Sequence, residues 1–147
     1  METLELNNPV SIPTVDEDGR TFYASLNSVT RHPPGPLLYK IVTEHNRDVV
    51  VTASHSLLVY DQEAAKIQQC RPTDLTIGDL LPIFDEASHH CSFDKVSAIQ
   101  PFCPNPVIHQ YMYDVTVPST LNFAISNGLL LRDTAETVSV NHTLLLD

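Results

Sequence analysis

Eleven prolines, spread from Pro9 to Pro118, constrain this chain more than any other feature. Proline lacks a backbone N–H and clashes with the preceding helical turn, so long helices have few places to form. Between the prolines the apolar residues come in short runs with many β-branched members, which fit a pleated surface better than a helix. Together the two features predict an all-β fold of mostly antiparallel strands with little helix.

The strands can be placed one by one. Residues 10–15 alternate and stop at the turn sequence Asp16-Glu17-Asp18-Gly19. Residues 20–30 read as extended, with Phe22, Ala24, Leu26 and Val29 turned inward. Arg31-His32-Pro33-Pro34-Gly35-Pro36 reads as a rigid connection. The runs 37–43 and 48–53 flank Glu44-His45-Asn46-Arg47 as a hairpin. One helical turn is expected within 61–69. Gly78-Asp79 supplies a turn into a strand over 80–84, residues 85–92 form a polar loop, and strands follow over 93–100 and 109–117. The last two strands, 121–125 and 129–132, flank Ser126-Asn127-Gly128, where Asn127 and Gly128 both tolerate the positive φ of a type I′ turn. Residues 135–147 break the pattern and read as an appendage.

A chain of 147 residues with 42% apolar content is one domain, large enough for a real core. No apolar run is long enough to cross a bilayer, and Met1-Glu2-Thr3-Leu4-Glu5 lacks the basic-then-apolar order of a signal peptide. Three cysteines, an odd count, make no disulfide framework and point to a reducing, cytoplasmic compartment. The net charge of −10, with only eight Lys plus Arg, repels phosphate backbones and argues against a nucleic-acid partner. His89-His90-Cys91, with Cys70 and Cys103 elsewhere, offers metal-ligand types without C-x-x-C or H-x₃-H spacing. No metal or cofactor is expected.

The candidate chemistry centres on Val49-Val50-Val51-Thr52-Ala53-Ser54-His55-Ser56-Leu57-Leu58-Val59-Tyr60. A β-branched run enters, the small polar cluster Thr52-Ala53-Ser54 breaks it, and His55 lands at the turn before a second apolar run. A side chain there is held by two strands yet can reach a substrate. A second stretch, near the C-terminus, runs Tyr113-Asp114-Val115-Thr116-Val117-Pro118-Ser119-Thr120-Leu121-Asn122-Phe123 and closes on Asn127-Gly128-Leu129.

This pair of stretches resembles the inteins, the self-splicing members of the Hedgehog/intein (Hint) family. T-x-x-H within a β-run is similar to their block B, and Y-D-V-T-V-P-S-T-x-N-F…N-G-L to their last two blocks, F and G. The resemblance runs from about Val10 to Thr134. It implies a Hint-type horseshoe of strands over 1–133, a flanking host (extein-like) segment over 134–147, and no room for a homing endonuclease. It implies protein splicing, a single-turnover rearrangement of peptide bonds at the domain's own termini.

Breaking an unassisted peptide bond needs a polarised amide, a nearby nucleophile and a proton donor for the leaving nitrogen. By resemblance, His55 protonates the amide of the N-terminal junction and Thr52 holds that amide. Asp114 couples the two ends of the reaction. Thr134 is the second nucleophile, accepting an acyl group on its hydroxyl before an O-to-N shift. Arg132 and Asp133 stand where the family closes on His-Asn. Arginine is a poor proton shuttle that can stabilise an oxyanion, and a carboxylate must form an anhydride where an amide would cyclise to a succinimide.

Two further positions depart from the family pattern. The opening block with its Cys or Ser nucleophile is missing, and Leu121 replaces the histidine that precedes Asn122. Two accounts follow. The chain is the C-terminal piece of a split intein whose N-terminal fragment brings the missing strand, or it is a degenerate β-module that keeps the fold and acts only by binding.

Overall fold

The structure is a computed structural model that describes residues 2–54, 56–108, 110–132 and, for the backbone only, 138–139. These residues form strands throughout, with one 3-10 turn at Pro72–Asp74, so the all-β expectation holds. Among them no helix is long and apolar enough to cross a membrane. The strands are β1 (Glu2–Val15), β2 (Thr21–His32), β3 (Leu38–Thr43), β4 (Asp48–Val51), β5 (Leu57–Asp61) and β6 (Lys66–Cys70). They continue with β7 (Leu80–Ile83), β8 (Ser92–Phe102), β9 (Met112–Thr116), β10 (Asn122–Ala124), β11 (Leu130–Arg132) and β12 (Val138–Ser139). Three antiparallel four-stranded sheets, ordered β1-β2-β9-β12, β10-β11-β5-β6 and β4-β3-β8-β7, curl into a half-barrel.

The longest ladder pairs β1 with β2 and carries a bulge between Glu5 and Val10. Pro9 sits inside it, where a missing N–H breaks no ladder bond. The ladder closes at the predicted turn. There the Asp16 carboxylate accepts the N–H groups of Asp18 (2.9 Å) and Arg20 (3.0 Å), and Gly19 takes φ 92°.

The main core draws on all three sheets: Ile12 and Leu26, Ile41 and Val96, Phe123 and Leu131. Two runs of identical residues make physical sense here. Val49 and Val51 face the main core, while Val50 packs with Leu38 and Met112 on the other side. Leu129 and Leu131 likewise face the main core, and Leu130 joins Val15, Leu58 and Ala124 in a second cluster. Strands covered on both faces need no alternation of apolar and polar residues. Each such buried side chain contributes roughly 1.5–3 kcal/mol relative to exposure.

Three local expectations are corrected. Residues 61–69 form no helical turn: the Asp61 carboxylate captures the N–H groups of Glu63 (3.0 Å) and Ala64 (3.2 Å), Ala65 takes φ 55°, and the chain reverses into β6. The 126–128 turn is not type I′. Only Gly128 has positive φ (93°), because Asn127 is drawn into long-range bonds, donating from Nδ2 to the Asp48 carbonyl at 2.8 Å and accepting from Arg47 Nε on its own carbonyl at 2.9 Å. Phe22 does not turn inward and stays 41% exposed at the start of β2. There the His89 carbonyl accepts the Thr21 N–H at 2.9 Å. Within the 134–147 segment, Val138 and Ser139 pair with Tyr113 and Met112.

Candidate active site

The loop that follows β4 is short and tightly bonded. Thr52 is only 4% exposed, and its hydroxyl accepts the Ser54 N–H at 3.4 Å. The Ser54 carbonyl accepts both the backbone N–H of Ser56 (2.7 Å) and its hydroxyl (3.3 Å). His55 lies outside the described residues, as do Asp133 and Thr134. The chain on both sides of His55 is nonetheless fixed, because Val51 is paired in β4 and Leu57 in β5.

The C-terminal strand meets this loop directly. Leu131 pairs with Leu57, and the Arg132 N–H donates to the Ser56 carbonyl at 2.9 Å. Asp114 is 5% exposed in β9, opposite Thr30 of β2. Its neighbour Tyr113 pairs with Val138. At the Ser56 end two segments far apart in sequence are thus brought side by side, since Leu57 pairs with Leu131.

The side chains do not all share one hollow. Thr52 lines a concavity of about 480 Å³ with Gly35, Pro36, Leu37 and Arg71. The Arg132 guanidinium turns into a separate one of about 410 Å³, where Nε donates to Gln69 Oε1 at 3.1 Å. Asn122, cross-strand from Arg132, borders the same hollow. The roles of Ser56 and Gln69 carried no sequence signal, because each acts through a contact made only in the fold.

Neither buried thiol is a ready nucleophile. Burial pushes Cys70 up to about 11, with help from the charges of Asp74 and Asp79. Burial likewise pushes Cys91 up to about 11. The His90 ring lies against backbone carbonyls, Nδ1 2.9 Å from that of Cys91 and Nε2 3.2 Å from that of Asp18. Among the described residues no three His, Cys, Asp or Glu side chains are placed to hold a metal ion.

This arrangement has close structural counterparts. The chain superposes over 90% of its length on 73% of the PabCDC21-1 intein, with a TM-score of 0.75 at 20% identity. It matches the transcription factor IIB Mvu mini-intein with a TM-score of 0.72 at 28% identity, covering 89% of this chain and 75% of that one. The TvoVMA intein gives 0.72 at 25% identity, over 88% and 72%. The chain has the fold of the inteins. No protein-family model matches this chain. Among curated relatives it is 31% identical over 77 residues, 52% of its length, to the DNA polymerase II large subunit of Halobacterium salinarum. It is 27% identical over 121 residues, 82% of its length, to a DNA polymerase of Thermococcus aggregans. The chain spans about 6% of the length of each.

Proposed function

We propose that this chain is an intein that splices protein in trans, completed by an N-terminal fragment that supplies the opening strand and its thiol or hydroxyl. The observation that carries the reading is the junction of Arg132 with the loop of Thr52: the Arg132 N–H bonds the Ser56 carbonyl, one residue before the Asp133–Thr134 bond. A partner strand has a place to add, since β1 is the edge of its sheet and residues 2–5 are exposed. The flanking segment is 134–147, and the polymerase relatives make a DNA polymerase the proposed host.

The chemistry then runs as follows. The fragment's nucleophile adds to the carbonyl before it, His55 protonates the departing amide nitrogen, and Thr52 holds the scissile amide. The result is an ester or thioester. The Thr134 hydroxyl attacks that carbonyl, releasing the first nucleophile and joining the flanks through an ester. Asp114 passes protons between the two ends. The Asp133 carboxylate attacks its own backbone carbonyl, forming a cyclic anhydride and freeing the Thr134 amine, while Arg132 stabilises the oxyanion. The amine displaces its own ester by an O-to-N shift, leaving a peptide bond.

The test fuses one marker domain to the C-terminus and another to an N-terminal fragment bearing a Cys-led first block. Mixing should give a ligated product of the two markers on a gel. A stable, non-covalent complex without ligation overturns splicing and leaves a binding module of intein fold.

A further inference from the structure

Resting on that reading, we infer that Asn122 is the positioning residue for the C-terminal junction, and that it sets the junction by reading the end of β1. Its side chain is 6% exposed and behaves like one residue of an extra strand. Oδ1 accepts the Val15 N–H at 3.0 Å, and Nδ2 donates to the Val15 carbonyl at 2.9 Å, the reciprocal pair of an antiparallel ladder. Nδ2 also donates to the Thr120 carbonyl at 3.2 Å. The Thr14 hydroxyl donates to Oδ1 and lies 2.5 Å from the Thr120 hydroxyl. Residues 107 or 108 positions apart are thus tied by one amide.

The consequence lies across the strand. Asn122 is paired with Arg132, whose N–H is held by Ser56. Fixing Asn122 on β1 therefore fixes the backbone one residue before the Asp133–Thr134 bond. The preceding Leu121 takes φ 61°, a conformation that side chains rarely adopt, and its N–H bonds the Val117 carbonyl at 2.8 Å. The Asn122 bonds hold this turn against its own strain. Only a side chain with one acceptor and one donor satisfies both groups of Val15.

The substitution Asn122→Asp tests this in the full chain carrying its C-terminal marker. At pH 7.5 the second carboxylate oxygen faces the Val15 carbonyl. Exchange of the Arg132 amide should then quicken about tenfold and C-terminal cleavage slow about tenfold, the loss of one buried hydrogen bond. Asn122→Gln, which keeps one donor and one acceptor on a longer arm, should return both to within about threefold of the parent. The Ile41 amide, in the β3 interior, should not change. Thr14→Val, which removes only the hydroxyl bond to Oδ1, should loosen Arg132 less than Asn122→Asp does, and stands in if that variant does not fold. Equal loosening of Arg132 and Ile41, or none at Arg132, overturns the inference. A parent that never cleaves, with the exchange pattern as expected, sinks the splicing reading and leaves the positioning role intact.

Discussion

The backbone N–H of Arg132 lies 2.9 Å from the carbonyl oxygen of Ser56, and through that bond the last strand of the domain is fastened to the loop that carries Thr52. Ser56 is fully buried and its carbonyl faces β11, so the contact is enclosed by the fold. Everything proposed for the chemistry depends on this meeting of two distant segments.

His55→Ala should slow N-terminal cleavage by roughly 10²–10⁴-fold, the usual loss when a general acid is removed. Asp133→Asn should speed C-terminal cleavage, because an amide nitrogen closes on its own carbonyl more readily than a carboxylate does. Band intensities of the marker fusions over time measure both. Unchanged rates in both variants would remove these residues from the site.

Stability should fall in acid through Asp94. Burial alone pushes its carboxyl up, but bonds from the Thr43 hydroxyl (2.6 Å), the His45 ring (2.9 Å) and Arg47 (2.7 Å) outweigh this and hold it at about 2. The folded value lies below the ordinary 3.8, so the contribution is present above about pH 4 and is lost as pH falls from 4 towards 2. The total is about 2 kcal/mol. Urea unfolding at pH 6 and pH 2.5 should show it in the parent, and Asp94→Asn should flatten that part of the pH dependence.

Leu131→Ala and Leu130→Ala should each cost roughly 2–5 kcal/mol, because both faces of β11 are covered. Chemical denaturation measures the pair. A small effect at Leu130 alone would mean that the second cluster is not a true core.

Gly19 and Gly35 should respond in opposite ways to alanine. At Gly19 a Cβ would stand 2.6 Å from His90 Nε2 on a backbone with φ +92°, so Gly19→Ala should destabilise by about 1–3 kcal/mol. At Gly35 nothing lies within 4 Å, and Gly35→Ala should be neutral or slightly stabilising. Thermal melts of the two variants give the comparison.

Much of this architecture was legible in the sequence because its signals are local. The valine run, the Asp16–Gly19 turn and the Gly78-Asp79 turn into β7 follow from branching, Asx bonding and glycine φ. The failures were tertiary. Asn127 took a conformation set by bonds to a distant hairpin, Asp61 drew the chain into a reversal where weak helical spacing suggested a turn of helix, and Phe22 lay ahead of the core. The site shows the same division. Thr52 and Asp114 are candidates taken from motifs, whereas the Asn122–Val15 clasp and the Gln69 contact of Arg132 exist only once remote strands are side by side.

The placing of Phe123, Leu129 and Leu131 in the main core also sets a timetable. A ribosome delivers these side chains after nearly all the others, and without them the half-barrel has an open wall. The half-barrel therefore closes only when synthesis has reached its last strands.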